Sequence, residues 1–76
     1  MSIFSERIRA LREDSDLNQT QMSEILETNQ RKVSRMETGE NEPNLHDIQV
    51  YCEYFNISAD YLLGLTDRPL KLDGRK

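Results

Sequence analysis

Residues 17–39 decide the fold, and they read Leu-Asn-Gln-Thr-Gln-Met-Ser-Glu-Ile-Leu-Glu-Thr-Asn-Gln-Arg-Lys-Val-Ser-Arg-Met-Glu-Thr-Gly. Asn18 is a good N-cap, and Gln21, three residues later, can bond back to it as in a capping box. Apolar residues then follow at the spacing of one buried helix face: Met22, Ile25 and Leu26. The pattern therefore predicts a helix that begins after Asn18 and ends near Leu26 or Glu27.

A second helix follows almost at once, from the N-cap Asn29 to about Thr38, and Gly39 stops it. Only three residues, 27–29, separate the two helices. Two short helices joined so tightly must cross at a steep angle, which is the helix-turn-helix arrangement. One face of the second helix carries Val33, Met36 and Glu37, and the other carries Gln30, Arg31, Ser34 and Arg35.

The rest of the chain predicts three further helices, and no segment alternates as a strand would. The first covers about 2–14, with an apolar stripe of Phe4, Ile8 and Leu11. A fourth starts at the cap Asn44 and ends at Asn56, with a core stripe of Leu45, Ile48, Tyr51, Cys52 and Phe55. Ser58 caps a short fifth helix through Leu63. We expect an all-α, compact five-helix domain over 1–68, followed by a polar C-terminal tail at 69–76.

Length and composition exclude several classes of protein. The chain has 76 residues, enough for one domain. Its single cysteine, Cys52, excludes an intramolecular disulfide and a multi-cysteine metal site. No apolar run reaches membrane-spanning length, so we expect a cytoplasmic protein without a membrane partner. The one histidine, His46, has no ligand cluster around it, and the carboxylates show no catalytic pairing. We therefore expect no enzyme activity, no cofactor and no small-molecule ligand.

The charge of the chain is acidic overall but basic locally. The net charge is −4 and the pI is about 4.9, whereas DNA-binding domains are usually basic. Phosphate contact is local, however, and the stretch 29–35 carries Arg31, Lys32 and Arg35 without an acid. Three arginines of the first helix form a second basic group: Arg7, Arg9 and Arg12.

The polar face of the second helix of the motif has the side chains that read base edges. Arginine can donate two hydrogen bonds to guanine, and glutamine can pair with adenine. Ser34 is short and lets the backbone approach the floor of the major groove. A solvated polar face, which surface helices ordinarily have, is the alternative interpretation of the same residues.

Residues 17–39 resemble the Cro/phage-repressor type (XRE-like) helix-turn-helix family, and the resemblance extends over about Phe4 to Pro69. It implies a lambda-repressor-like domain that binds double-stranded operator DNA as a homodimer, in most cases as a repressor.

It also implies roles for individual residues. Base readers would be Gln30, Arg31 and Arg35, with Ser34 nearby. Phosphate contacts would be Gln19, which can also brace the reading helix, and Lys32. Arg12 and Glu37 would form a partly buried ion pair.

Some positions depart from the family pattern. Glu27 stands where glycine is usual, at a turn that favours a left-handed residue, and costs about 1 kcal/mol there. The acids Glu40 and Glu42 occupy a loop that is often basic, and they repel phosphates. These acids motivate an alternative: a protein-interaction module that kept the fold but lost operator binding. For the dimer surface the sequence offers Tyr61, Leu63 and Leu65.

Overall fold

The computed structural model of the chain describes residues 2–69, which form five helices. They are α1 (Ile3–Asp14), α2 (Gln19–Leu26), α3 (Gln30–Thr38), α4 (Leu45–Phe55) and α5 (Ala59–Leu62). The structure has no β-strand among these residues. The predicted all-α, five-helix architecture is confirmed. The predicted tail, 69–76, lies outside the described residues apart from Pro69.

Polar side chains cap the helices where the sequence predicted them. Asn18 accepts from the backbone N–H of Gln21 at 2.7 Å, and the Gln21 side chain accepts from the backbone N–H of Asn18 at 2.9 Å. The same reciprocal capping box begins α1 at Ser2 and α4 at Asn44. Each box satisfies backbone donors that a helix start would leave unpaired. Helix boundaries can therefore be predicted locally in this chain.

The residues that end α2 and α3 adopt the left-handed backbone conformation, as expected for a tight turn and for a helix that stops at glycine. Glu27 has φ 60° and ψ 45°, so the expectation that a non-glycine residue occupies this conformation is confirmed. Gly39 has φ 88° and ends α3. The Glu27 turn brings α2 and α3 together as the helix-turn-helix unit.

Within residues 2–69, the core consists of nine buried apolar side chains drawn from all five helices and the α4–α5 connection. They are Phe4, Ile8, Met22, Leu26, Val33, Met36, Tyr51, Ile57 and Leu62. Helix α3 packs against both α1 and α2, so one of its faces is held by two neighbours. The opposite face of α3 is thereby directed to solvent.

The predicted burial of Leu45 is wrong. Leu45 is 83% exposed, whereas Asp47, two residues later, is 1% exposed. Two residues turn a helix by about 200°, so Leu45 points away from the face that buries Asp47 and Tyr51. Asp47 closes the capping box of α4 and is buried, so it fixes which face of that helix turns toward the interior.

Helix α5 also ends one residue earlier than predicted, with Leu63 as its C-cap. Within residues 2–69, none of the helices has the length and apolar character needed to cross a membrane.

Candidate nucleic-acid interface

The polar face of α3 lies opposite its buried face and opens onto solvent. Val33 and Met36 are fully buried, and this anchors the helix. The polar residues of the face line one open groove together with a residue of α2 and a residue beyond α3. The groove is formed by Gln19, Gln30, Arg31, Ser34, Arg35 and Glu40. The structure thus brings together five of the residues that the sequence singled out for DNA contact.

A bidentate ion pair connects α3 to α1. Arg12 donates from Nε to Glu37 Oε2 at 2.7 Å and from Nη2 to Glu37 Oε1 at 3.0 Å. The side chains are 11% and 3% exposed, and Arg12 also donates to the carbonyl of Leu17 at 2.9 Å. The hydrogen bond that Arg12 donates to Glu37 raises the pKa of Arg12, because it stabilises the charged guanidinium. The pair fixes α3 against α1.

Gln19 extends this contact from the interior to the groove. Its Nε2 donates to Glu37 Oε1 at 3.2 Å, and its Oε1 accepts from Gln30 Nε2 at 3.3 Å. A continuous chain of polar contacts therefore runs from Arg12 to Gln30. Gln30, although exposed, is oriented by Gln19 of α2, which is itself bonded to the buried Glu37.

Lys32 lies apart from the groove residues. Its Nζ is 3.1 Å from Oδ2 of the buried Asp47, and that oxygen also accepts from the backbone N–H of Asn44 at 3.0 Å. The side chain of Lys32 is 29% exposed. Sequence reasoning did not find this partner, because the two residues lie on different helices and nothing in their spacing indicates contact.

The second basic group predicted in α1 is not a free basic surface. Arg9 pairs with Glu13 at 3.1 Å, and Arg12 is committed to Glu37. The third member, Arg7, binds the end of the described chain. It donates to the carbonyl of Thr66 at 2.8 Å, pairs with Asp67 at 3.2 Å and stacks 4.0 Å from the centre of the Tyr61 ring. Each of these arginines is therefore paired, Arg9 within its own helix and Arg7 and Arg12 with residues of other segments, and only the partners of Arg7 had no signal in the sequence.

The two arginines of the groove are less engaged in ion pairs than the arginines of α1. Among residues 2–69, Arg31 has no carboxylate within 4.0 Å, and Arg35 has only Glu40, with Nε and Oε1 3.8 Å apart. The local excess of positive charge is therefore on α3, at the surface that the groove exposes.

The fold and the groove together define a helix-turn-helix DNA-binding domain. A helix-turn-helix family model matches residues 8–62, and the chain belongs to this family of the XRE, phage-repressor type. Its members are DNA-binding transcriptional regulators. The family is not typically enzymatic, and the comparisons do not favour the interaction module as an alternative.

Two curated relatives and one solved structure show the same similarity. The chain is 30% identical over 61 residues to the HTH-type transcriptional activator BcrR of Enterococcus faecalis, covering 80% of this chain and 30% of that protein. It is 28% identical over 67 residues to the HTH-type transcriptional regulator YobD of Bacillus subtilis (strain 168), covering 88% and 60%. The chain thus spans about a third and about three fifths of these two relatives.

The solved structure is that of the P22 c2 repressor in complex with a synthetic operator. It superposes with a TM-score of 0.75 at 28% identity, covering 83% of this chain and 96% of that one. The relatives include both an activator and a repressor, so the family alone does not assign the regulatory outcome.

Proposed function

We propose that this protein is a sequence-specific transcriptional regulator that reads operator DNA by inserting α3 into the major groove. The observation that carries the proposal is the solvent-facing groove, in which two arginines and two glutamines surround a small serine. Arginine and glutamine are the side chains that pair bidentately with guanine and adenine in that groove. The buried face of α3 holds this set in a fixed orientation.

The roles of the base readers follow from their surroundings. Arg31 is exposed and unpaired among residues 2–69, so guanine meets no competing carboxylate there. Gln30 approaches the base edge already oriented by Gln19. The short side chain of Ser34 lets the backbone at the centre of the face approach the bases. Arg35 contacts bases near the C-terminal end of α3.

The phosphate contacts lie at the edges of the reading surface. Gln19 stands at the first turn of α2 and keeps donor capacity beyond its bond to Glu37. Lys32 carries three N–H donors, so it can hold Asp47 and still offer a donor to a phosphate. Both residues would set the register of the protein on the duplex without specifying sequence.

We further propose a homodimer on the operator and repression as the outcome, acting in the cytoplasm. One reading helix covers few base pairs, and two copies double the contacts available for specific affinity. The similar P22 c2 structure is that of a repressor in complex with an operator, which supports repression and operator binding. Repression requires only that the bound dimer occupies promoter DNA.

Selection of bound oligonucleotides from a random pool tests the base-reading proposal. We expect an enriched sequence, and we expect Arg31→Ala and Arg35→Ala each to lose about 1–3 kcal/mol of specific affinity and to relax one base preference. Arg68→Ala is the matched control, because it removes the same charge from an exposed position outside the groove. Unchanged preference in an arginine variant would remove that residue from the reading set.

Salt dependence tests the phosphate contacts. If Lys32 meets a phosphate, Lys32→Met lowers the slope of log affinity against log salt by about 1 while base preference stays the same. An unchanged slope would show that Lys32 contacts Asp47 but no phosphate. Absence of binding to random duplex at low salt, together with no enriched sequence, would instead favour the protein-interaction module.

A further inference from the structure

The reading groove contains a carboxylate. Glu40 is the one acidic residue among those that line it in the described part of the chain. Its backbone is held in place, because its N–H donates to the carbonyl of Arg35 at 2.8 Å across the left-handed Gly39. The C-terminal cap of α3 therefore holds this carboxylate beside the reading face.

The contact between Glu40 and Arg35 is weak. The two groups are 3.8 Å apart, and their side chains are 67% and 43% exposed. Exposed pairs of this kind contribute little to stability, because solvent screens them. Arg35 can therefore leave Glu40 for guanine at little cost, and the carboxylate then remains in the groove facing DNA without its cation.

A carboxylate in the major groove is repelled by phosphates unless a base supplies a donor. Cytosine N4 and adenine N6 both present an amino donor there, but adenine places the acceptor N7 beside its donor, so cytosine is the base from which glutamate accepts. A site that presents cytosine beside Glu40 satisfies the carboxylate, whereas a site without that donor leaves it unpaired next to DNA. The same side chain thus favours one base and weakens binding to the others.

We infer that Glu40 is a specificity-determining residue, which accepts a hydrogen bond from cytosine N4 at the position next to the one read by Arg35. This inference rests on the proposed operator-binding function. Glu42 is different: it is exposed in the same loop but does not line the groove. It weakens binding to all sequences alike, through its charge alone.

This difference provides a matched pair of variants, Glu40→Ala and Glu42→Ala. Each removes one negative charge from the same exposed loop, so both should raise affinity for random duplex by a similar factor. Selection from a random pool at one salt concentration then separates them. We expect Glu40→Ala alone to lose the cytosine preference and to lower the ratio of specific to random affinity about tenfold. Equal thermal unfolding curves would confirm that both variants are folded.

Three outcomes decide the question. A cytosine preference lost only in Glu40→Ala supports the inference. If the wild-type protein selects a sequence but both variants keep the same preference and ratio, the role of Glu40 is refuted and operator binding stands. A wild-type protein that enriches no sequence overturns the proposed function and this inference with it.

Discussion

At the scale of single residues, Tyr51 combines complete burial with an unpaired polar group. Its ring packs edge-on against Phe4 at 6.2 Å and stacks with Phe55 at 6.1 Å. Its hydroxyl makes no hydrogen bond with residues 2–69. Burial raises the pKa of Tyr51, and the negative charges of Glu37 and Asp47 raise it further. The aromatic ring stabilises the core while the hydroxyl opposes burial.

Tyr51→Phe should therefore raise the free energy of unfolding at pH 7 by about 1 kcal/mol, because it removes a buried hydroxyl that lacks a partner. A second effect appears in alkali. The folded-state pKa lies above the unfolded value of about 10, so as pH rises past that value the unfolded chain loses the proton first. The stability of the wild-type protein should then fall by up to about 1.4 kcal/mol per pH unit more than that of the variant.

Denaturant titrations between neutral pH and about pH 11 measure both effects. Tyr54→Phe is the control, since that side chain is 52% exposed. A marked loss of stability in Tyr51→Phe at pH 7 would show that the hydroxyl is bonded after all.

Among the secondary-structure elements, α3 is connected to α1 and to α4 by two ion pairs, each with a buried carboxylate. Glu37 of α3 pairs with Arg12 of α1, and Asp47 of α4 pairs with Lys32 of α3. Both carboxylates are at most 3% exposed. Removing one partner of a buried pair leaves a charge without compensation, which costs more than the pair itself contributes. The two pairs therefore constrain the angle at which α3 is presented.

Arg12→Ala should lower the free energy of unfolding by about 3–5 kcal/mol, since it leaves Glu37 buried and unpaired. A double-mutant cycle with Glu37→Ala should show strong coupling between the two positions. The exposed pair Arg9 and Glu13 serves as the reference, with coupling of about 0.3–0.5 kcal/mol. Coupling no larger than that reference would mean that the buried pair does not fix α3.

The connection between α2 and α3 offers a test of backbone strain. Glu27 has φ 60° and is exposed, so its side chain gains no packing in return for the left-handed conformation. Glu27→Gly should raise the free energy of unfolding by about 1 kcal/mol, because glycine adopts this conformation without a Cβ clash. Glu27→Gln removes the same charge but keeps the Cβ. Equal stabilisation by both variants would assign the effect to charge instead of backbone conformation.

At the scale of the whole molecule, an apolar patch remains outside the core. Leu63 is 48% exposed, Leu65 is 74% exposed and Ile3, whose side chain lies beside Gly64, is 48% exposed. Of the residues proposed for the dimer surface, Tyr61 is half-buried beneath the Arg7 guanidinium. Ile3 joins the patch through the fold, because α1 and α5 pack together.

If this patch forms the proposed dimer, Leu65→Glu should weaken binding to a full inverted repeat at least tenfold and leave binding to a single half-site unchanged. The two half-sites should lie one helical turn apart, about 34 Å, and give two symmetric footprints on one face of the duplex. Leu45→Glu is the control, because Leu45 is 83% exposed and lies outside the patch. A single half-site protected by one chain at full affinity would contradict the dimer.

Local signals in the sequence predict the helices and single out α3 as the helix that we propose reads DNA. Capping boxes at Asn18 and Asn44, the glycine stop at Gly39 and the three-residue connection are local signals, carried by side chains that bond to backbone a few residues away. The buried face of α3 could also be predicted, because helical spacing alone places Val33, Met36 and Glu37 together.

Several charge partners, by contrast, were set by the packing of the helices. This packing places Lys32 against Asp47 and Arg7 against Asp67, and it puts Glu40 in the groove beside α3. It also turned α4 so that Leu45 is exposed. These outcomes depend on how the helices pack and on the rotation of each about its axis. Contacts between residues far apart in the chain leave no periodic or local signal, so composition and spacing could not indicate them.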